Sequence, residues 1–150
     1  MKWITWGIVI SFLTACSNTA NYYKHPSETN EDALSSIVGS KIDSGNVFHA
    51  DKITYINIVD GHVVKGMHNK FDKVIRIEPG LREVRLVNTL GLSSSFINLR
   101  FQMIEGEKYI GKSVIMDAMS VKFWIEDSSG NIVIEKIATT RRNESVPLIL

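Results

Sequence analysis

The chain has 150 residues, of which 44% are hydrophobic, and its 17 basic and 16 acidic side chains give a formal net charge of +1. This balance lacks the basic excess of a nucleic-acid-binding protein and argues against strong long-range steering toward an anionic surface. The length fits one domain that buries a core of its own.

The first 15 residues contain the three parts of a secretory signal peptide. Lys2 gives a positive start, an apolar run extends from Trp3 to Leu13, and Ala15 is a small residue at the end. A helix of this run covers only about half of a ~30 Å hydrocarbon core, so the run is too short to span a membrane comfortably. We therefore expect residues 1–15 to be a cleaved signal peptide.

The end of this segment, Leu13-Thr14-Ala15-Cys16, resembles the bacterial lipobox. The resemblance implies cleavage before Cys16, a diacylglycerol on its thiol, and a lipoprotein held on the membrane by acyl chains such as palmitate. Cys16 is the single cysteine, so a lipidated chain retains no thiol for a disulfide, a metal or a nucleophile. The alternative is a buried free cysteine after a short N-terminal helix.

Two further expectations follow from this resemblance. The residue after Cys16 is Ser17, whereas an Asp at this position favours inner-membrane retention in enteric bacteria. The resemblance therefore implies the outer membrane, with the domain in the periplasm. Cleavage also removes Lys2, which leaves 16 basic and 16 acidic residues and gives membrane attachment to the lipid alone. Residues 16–33, polar and interrupted by Pro26, are predicted to be the lipidated cysteine and a flexible tether.

The remaining residues, 34–150, are predicted to form one all-β domain. Short stretches rich in β-branched and aromatic residues recur between turn residues, and no segment keeps a helical period over three turns. The predicted strands are residues 52–59, 73–77, 81–87, 96–103, 108–110, 121–126 and 131–135. This pattern indicates an antiparallel β-sandwich of about seven to eight strands, transthyretin-like or immunoglobulin-like.

Turn residues predict how these strands connect. Asp60-Gly61 and residues 128–130 are hairpin signals, and Pro79-Gly80 has the preferences of a type II turn leading into a return strand. The Pro-Gly turn, the alternating strand after it and the later turn at Gly106 resemble the transthyretin-like and PEGA-type domains of small envelope lipoproteins of unknown function. The resemblance covers about residues 36–137 and implies no catalytic residues.

The sequence contains no convincing catalytic or metal site. His49 with Asp51, and Asp60 with His62, are spaced to share a strand face, yet no third ligand or HExxH motif accompanies them. No serine lies in a G-x-S-x-G elbow, and no glycine-rich loop cradles a phosphate. We therefore predict no catalytic residue, no metal and no cofactor.

Trp124 is the one residue that suggests a binding surface. Val121, Phe123 and Ile125 are expected to face the core, which turns Trp124 outward. The alternative is that Trp124 is covered by a neighbouring strand, a loop or the apolar residues 145–150.

The leading prediction for the function is a non-enzymatic structural, adaptor or protein-binding module. It is expected to bind an envelope protein and no nucleic acid, and no particular oligomeric state is indicated. The alternative is a module for glycan or peptidoglycan fragments using Trp124 and Tyr109, and a hydrolase using His49 or His62 ranks last.

Overall fold

The computed structural model describes residues 22–24, 31–43, 51–68, 70–91 and 93–139. Within these ranges the chain forms ten strands and one 3-10 helix, Glu31–Ala33. The strands are β1 (Ser35–Val38), β2 (Ser40–Ile42), β3 (Lys52–Val59), β4 (His62–Val63), β5 (Ile75–Ile77), β6 (Gly80–Leu90), β7 (Ser93–Met103), β8 (Lys108–Ile115), β9 (Ser120–Glu126) and β10 (Ile132–Thr139). The all-β prediction is confirmed. Three strands were not predicted, β1, β2 and β4, because they have only four, three and two residues and are too short to show a period.

The strands form two sheets that face each other as a sandwich. The first sheet has the order β10-β9-β8-β1-β5, and the second has the order β2-β3-β6-β7, with β4 beside β3. Every pairing between named strands is antiparallel except that of β1 with β8. The predicted antiparallel sandwich is therefore confirmed, with one parallel pair that the turn residues did not indicate.

Gly39 allows the chain to pass from one sheet to the other between β1 and β2. A Cβ atom at this position would overlap the backbone oxygen of Thr54 and would lie 3.0 Å from that of Phe71. Both neighbours are backbone atoms, so they cannot swing aside as the end of a flexible side chain would. The close approach of the strands at this corner therefore requires glycine.

The Pro79-Gly80 turn also joins the two sheets, which corrects the prediction of a return strand. β5 pairs with β1 in the first sheet, whereas β6 pairs with β3 and β7 in the second. Gly80 has a φ of 124°, a value that side chains rarely permit. The turn residues predicted the bend, but the sheet that each strand joins depends on distant partners.

The other two turn predictions are confirmed as hairpins. β3 and β4 are joined at Asp60 and Gly61, whose φ values of 47° and 77° suit a tight turn between antiparallel strands. β9 and β10 are joined through residues 127–131, where the backbone N–H of Gly130 donates to Asp127 O at 3.0 Å. These two hairpins depend on local chemistry, and local sequence was enough to predict them.

Alternating residues of both sheets fill the space between them. In β7, Leu99, Phe101 and Met103 are buried as the alternation predicted, while Ile97 is half-buried. A small polar group shares this interior: the hydroxyls of Thr54 and Ser113 are 2.6 Å apart, and Asn88 Nδ2 donates to Ser113 Oγ at 2.8 Å. The polar side chains satisfy one another, so their burial leaves no donor stranded there.

Candidate functional site

The residue predicted to carry the lipid lies outside the described residues. The same is true of His49 and of residues 140–150. Lipidation of Cys16, and cover of Trp124 by residues 145–150, therefore stay predictions.

Trp124 lies in the middle of β9 and points away from the core. Its strand neighbours Phe123 and Ile125 are completely buried, which confirms the predicted inward face. The indole is half-buried, and its Nε1 donates a hydrogen bond to Glu126 Oε1 at 2.7 Å. The side chain is thus held in place on the outer surface of the first sheet.

Two ion pairs flank the indole, one joining β9 to β8 and the other joining β9 to β10. Lys112 of β8 and Glu135 of β10 stand directly opposite Trp124 in the register. Lys112 Nζ lies 2.6 Å from Glu126 Oε2, and Lys122 Nζ lies 2.7 Å from Glu135 Oε2. Hydrogen bonds from Lys112 and then from Trp124 hold the pKa of Glu126 below its usual value.

Exposed aliphatic side chains complete this surface. Val114 and Ile137 stand opposite Lys122 on either side, and Ile132 stands opposite Glu126, so all three share the face of Trp124. Their exposures are 38%, 58% and 53%, respectively. We call this surface the Trp124 face, and define it as Trp124, its two ion pairs, Val114, Ile132 and Ile137. An aromatic side chain ringed by charges and exposed aliphatic groups matches the composition of protein interfaces.

Tyr109 does not belong to this surface. It is only 2% exposed, packs edge-on against Phe101 with ring centroids 5.3 Å apart, and its hydroxyl accepts a hydrogen bond from Ile104 N at 2.9 Å. The prediction that Tyr109 offers a ring to a ligand is thereby corrected. In β8 it occupies an inward position beside the parallel partner β1, a pairing that no turn residue indicated.

The His/Asp pair that the structure describes does not form an acid–base couple. His62 Nδ1 lies 2.9 Å from the backbone oxygen of Asp60, not from its carboxylate. That carboxylate instead accepts hydrogen bonds from Arg82 Nη1 at 3.0 Å and from Glu83 N at 2.9 Å. Asp60 therefore fixes the start of a hairpin onto β6.

Other carboxylates close turns in the same way. Asp117 accepts from Ser120 Oγ and Met119 N, which lowers its pKa. Asp127 accepts from both the side chain and the backbone N–H of Asn131, which lowers its pKa as well. Among the residues placed by the structure, no three His, Cys, Asp or Glu side chains gather as metal ligands would.

The structure adds one contact that sequence reasoning missed, within the predicted tether. Tyr22 forms a parallel bridge with Val63, and Tyr23 N donates to Val63 O at 2.8 Å. Tyr23 packs against the core, and its hydroxyl donates to Arg76 O at 3.0 Å. The two adjacent tyrosines in a polar segment could have indicated this contact, because burial of a large aromatic side chain stabilises the fold.

Comparison with known proteins identifies no relative of this chain. No protein-family model matches the chain, and no curated protein or solved structure shows significant similarity to it. Over the described ranges, the structure contains no helix with the length and apolarity needed to cross a membrane.

Proposed function

We propose that this chain is a lipid-anchored protein of the bacterial cell envelope that acts without catalysis and binds a protein partner through the Trp124 face. The anchor is the acylated Cys16, on the evidence of the lipobox, and the membrane is the outer one, with the domain in the periplasm. The observation that carries the binding role is Trp124 itself, held outward between two ion pairs and bordered by exposed aliphatic groups.

The chemistry of this surface defines the partner that fits it. An apolar side chain of the partner can cover the indole and displace water from Val114, Ile132 and Ile137. The two ion pairs present charges of both signs close to the indole, so the partner needs polar or oppositely charged groups around its apolar centre. A flat sheet surface with this pattern suits a folded protein or a peptide.

Binding of a glycan or peptidoglycan fragment is the second candidate. It is favoured by the charged side chains next to Trp124, because sugar rings stack on aromatic faces while their hydroxyls need hydrogen-bonding groups. Two observations favour protein over glycan. The exposed aliphatic groups offer nothing to sugar hydroxyls, and the burial of Tyr109 leaves Trp124 without the second aromatic platform that was expected.

Site-specific photo-crosslinking in the native envelope tests this proposal. A photoreactive phenylalanine derivative replaces Val114 or Ile137 on the Trp124 face, and Gln102, exposed on the outer face of β7, is the matched control. We expect the same crosslinked product from positions 114 and 137 and none from position 102. With the crosslinker at 114, Ile137→Glu should abolish the product, since it adds charge to an exposed position without disturbing the core.

The products also separate the candidates. A product equally strong from position 102, or no product from either Trp124-face position, contradicts the proposal. A product that glycan-degrading enzymes remove and proteases do not would establish the glycan alternative instead.

A further inference from the structure

The described N-terminal segment is attached to the sandwich at a defined place. Tyr22 lies beside Val63 of β4, and Tyr23 reaches Arg76 of β5, so residues 22–24 run along one edge of the molecule. Only six peptide steps separate Tyr22 from Cys16, and a fully extended chain of that length spans about 20 Å. A lipid on Cys16 would therefore keep this edge close to the membrane surface.

Lysine side chains collect at this same edge. Lys65 Nζ lies 5.8 Å from the centre of the Tyr22 ring, and Lys73 Nζ donates to Lys65 O at 2.9 Å. Lys24 directly follows Tyr23, and Lys70 belongs to the same loop as Lys65 and Lys73. We call Tyr22 and these four lysines the lysine patch.

The surroundings of the lysine patch leave it positively charged and accessible. Residues 64–74 contain a single acidic side chain, Asp72. Lys24, Lys65 and Lys70 are exposed, Tyr22 is 41% exposed, and the neighbouring Val74 is 55% exposed. Asp60 and Glu78 also lie near Tyr23, and both are paired with Arg82. With these groups counted, the four lysines still leave a local excess of positive charge at the edge nearest to the predicted anchor.

We propose that the lysine patch lies on anionic phospholipid headgroups of the membrane that holds the acylated Cys16, an inference that rests on the proposed lipid anchor. Charge is the first reason: electrostatic attraction to anionic lipid is felt only within about 10 Å of the surface at moderate salt, and the short link to Cys16 keeps the lysines near that range. The second reason is Tyr22, since tyrosine favours the headgroup region, where its ring is apolar and its hydroxyl is wet.

Contact at this edge would also orient the binding surface. In the first sheet β5 lies at one end and β10 at the other, four strand spacings apart, which corresponds to about 19 Å. The lysine patch leads into β5, whereas the Trp124 face lies on β8, β9 and β10. A domain resting on the lysine patch would therefore keep the Trp124 face open toward the periplasm.

A fluorescence-quenching experiment tests the lysine patch on the full-length gene product as it is purified from the membranes of its host. A single cysteine is introduced by His68→Cys within the patch loop, or by Ser129→Cys at the β9–β10 turn as the matched control, and is labelled with an environment-sensitive dye. Both native positions are exposed, and an acylated Cys16 does not react with the dye. Each protein is reconstituted in vesicles of phosphatidylcholine, with or without phosphatidylglycerol, that carry quenchers on their headgroups.

We expect quenching at position 68 on vesicles that contain phosphatidylglycerol, weaker quenching on phosphatidylcholine alone, and little at position 129. The double variant Lys65→Gln/Lys70→Gln should lower the ratio of docked to undocked protein by about fivefold per lysine. The control Lys108→Gln/Lys136→Gln, which removes the same charge from exposed positions on β8 and β10, should leave it unchanged.

Three outcomes would overturn the inference: equal quenching at positions 68 and 129, quenching at 68 that does not depend on phosphatidylglycerol, or an equal loss of docked protein in both double variants.

Flotation of the same vesicles separates this inference from the proposed anchor. A protein that floats with the vesicles without quenching at 68 refutes the lysine patch alone. A protein that does not float refutes the anchor, and the lysine patch with it.

Discussion

At the scale of single residues, neighbouring side chains in β9 have opposite roles. Phe123 faces the core and is fully buried, whereas Trp124 faces outward and is held by a hydrogen bond to Glu126. Strand geometry turns adjacent side chains to opposite faces, so one short segment supplies both the core and the proposed binding surface. The outward position of Trp124 was predictable from this alternation. The burial of Tyr109 was not, because the ring packs against Phe101 of β7 in the opposite sheet, a contact between residues that only the folded chain brings together.

This contrast predicts different costs of truncation at adjacent positions. Phe123→Ala removes a fully buried ring and should lower the free energy of unfolding by about 3–5 kcal/mol. Trp124→Ala removes a half-buried ring from the surface and should cost about 2 kcal/mol or less, while abolishing partner binding. Urea denaturation of both variants measures the difference. Equal destabilisation would mean that Trp124 is a core residue and would remove it as a candidate for binding.

At the scale of elements, two short connections decide which sheet each strand joins. Gly39 passes the chain between the sheets at β1 and β2, and the turn at Gly80 does so between β5 and β6. The sequence predicted the bend at Pro79-Gly80 but nothing at Gly39, and in both places the strand partners come from residues far along the chain. Hairpins such as β9–β10 need no such information, since their partners adjoin the turn itself.

Gly39 and Gly111 provide a matched test of the tight corner. Gly39→Ala would drive a methyl group into the backbone oxygen of Thr54, so the strands must separate, and we expect a loss of at least about 3 kcal/mol. Gly111→Ala meets the end of the Leu86 side chain, 2.6 Å from its Cδ2. Leu86 is fully buried, so moving it also lowers stability, but by less than separating two strands of backbone. Thermal unfolding of the two variants provides the comparison. A Gly39→Ala protein as stable as Gly111→Ala would show that the corner does not require glycine.

The turns also predict how stability depends on pH. The charged forms of four carboxyl groups accept hydrogen bonds that lower their pKa values: Glu107, Asp117, Glu126 and Asp127. At acid pH the folded protein therefore binds fewer protons than the unfolded chain. The stabilisation from these hydrogen bonds is complete above the ordinary pKa values, 3.8 for Asp and 4.5 for Glu, and is lost as the pH falls below them.

The thermal unfolding midpoint should therefore fall when it is measured at a series of pH values from 7 down into this acid range. Asp127→Asn removes one of the contributing groups and should flatten the decline. If the midpoint stayed constant through the acid range, or if Asp127→Asn fell as steeply as the unsubstituted protein, these hydrogen bonds would not stabilise the fold.

At the scale of the whole molecule, the proposed membrane anchor and the proposed binding surface lie at opposite ends of the first sheet. The lipid on Cys16 and the lysine patch would hold one edge of the sandwich at the membrane. The Trp124 face would lie on the outer surface of the first sheet, toward its other end. The sequence predicted the all-β sandwich and the outward tryptophan because both follow from local alternation. It did not predict the docking of Tyr23 or the lysine patch, since these form only when β4, β5 and the loop between them come together.

The most direct test of the central claim is the intact mass of the protein isolated from the membranes of its own host. We expect the mass of residues 16–150 plus a diacylglycerol on Cys16, with two or three acyl chains in all. We also expect Cys16→Ser to lose both the cleavage and the lipid. An unprocessed chain, or a cleaved chain that retains a free Cys16 thiol, would contradict this claim.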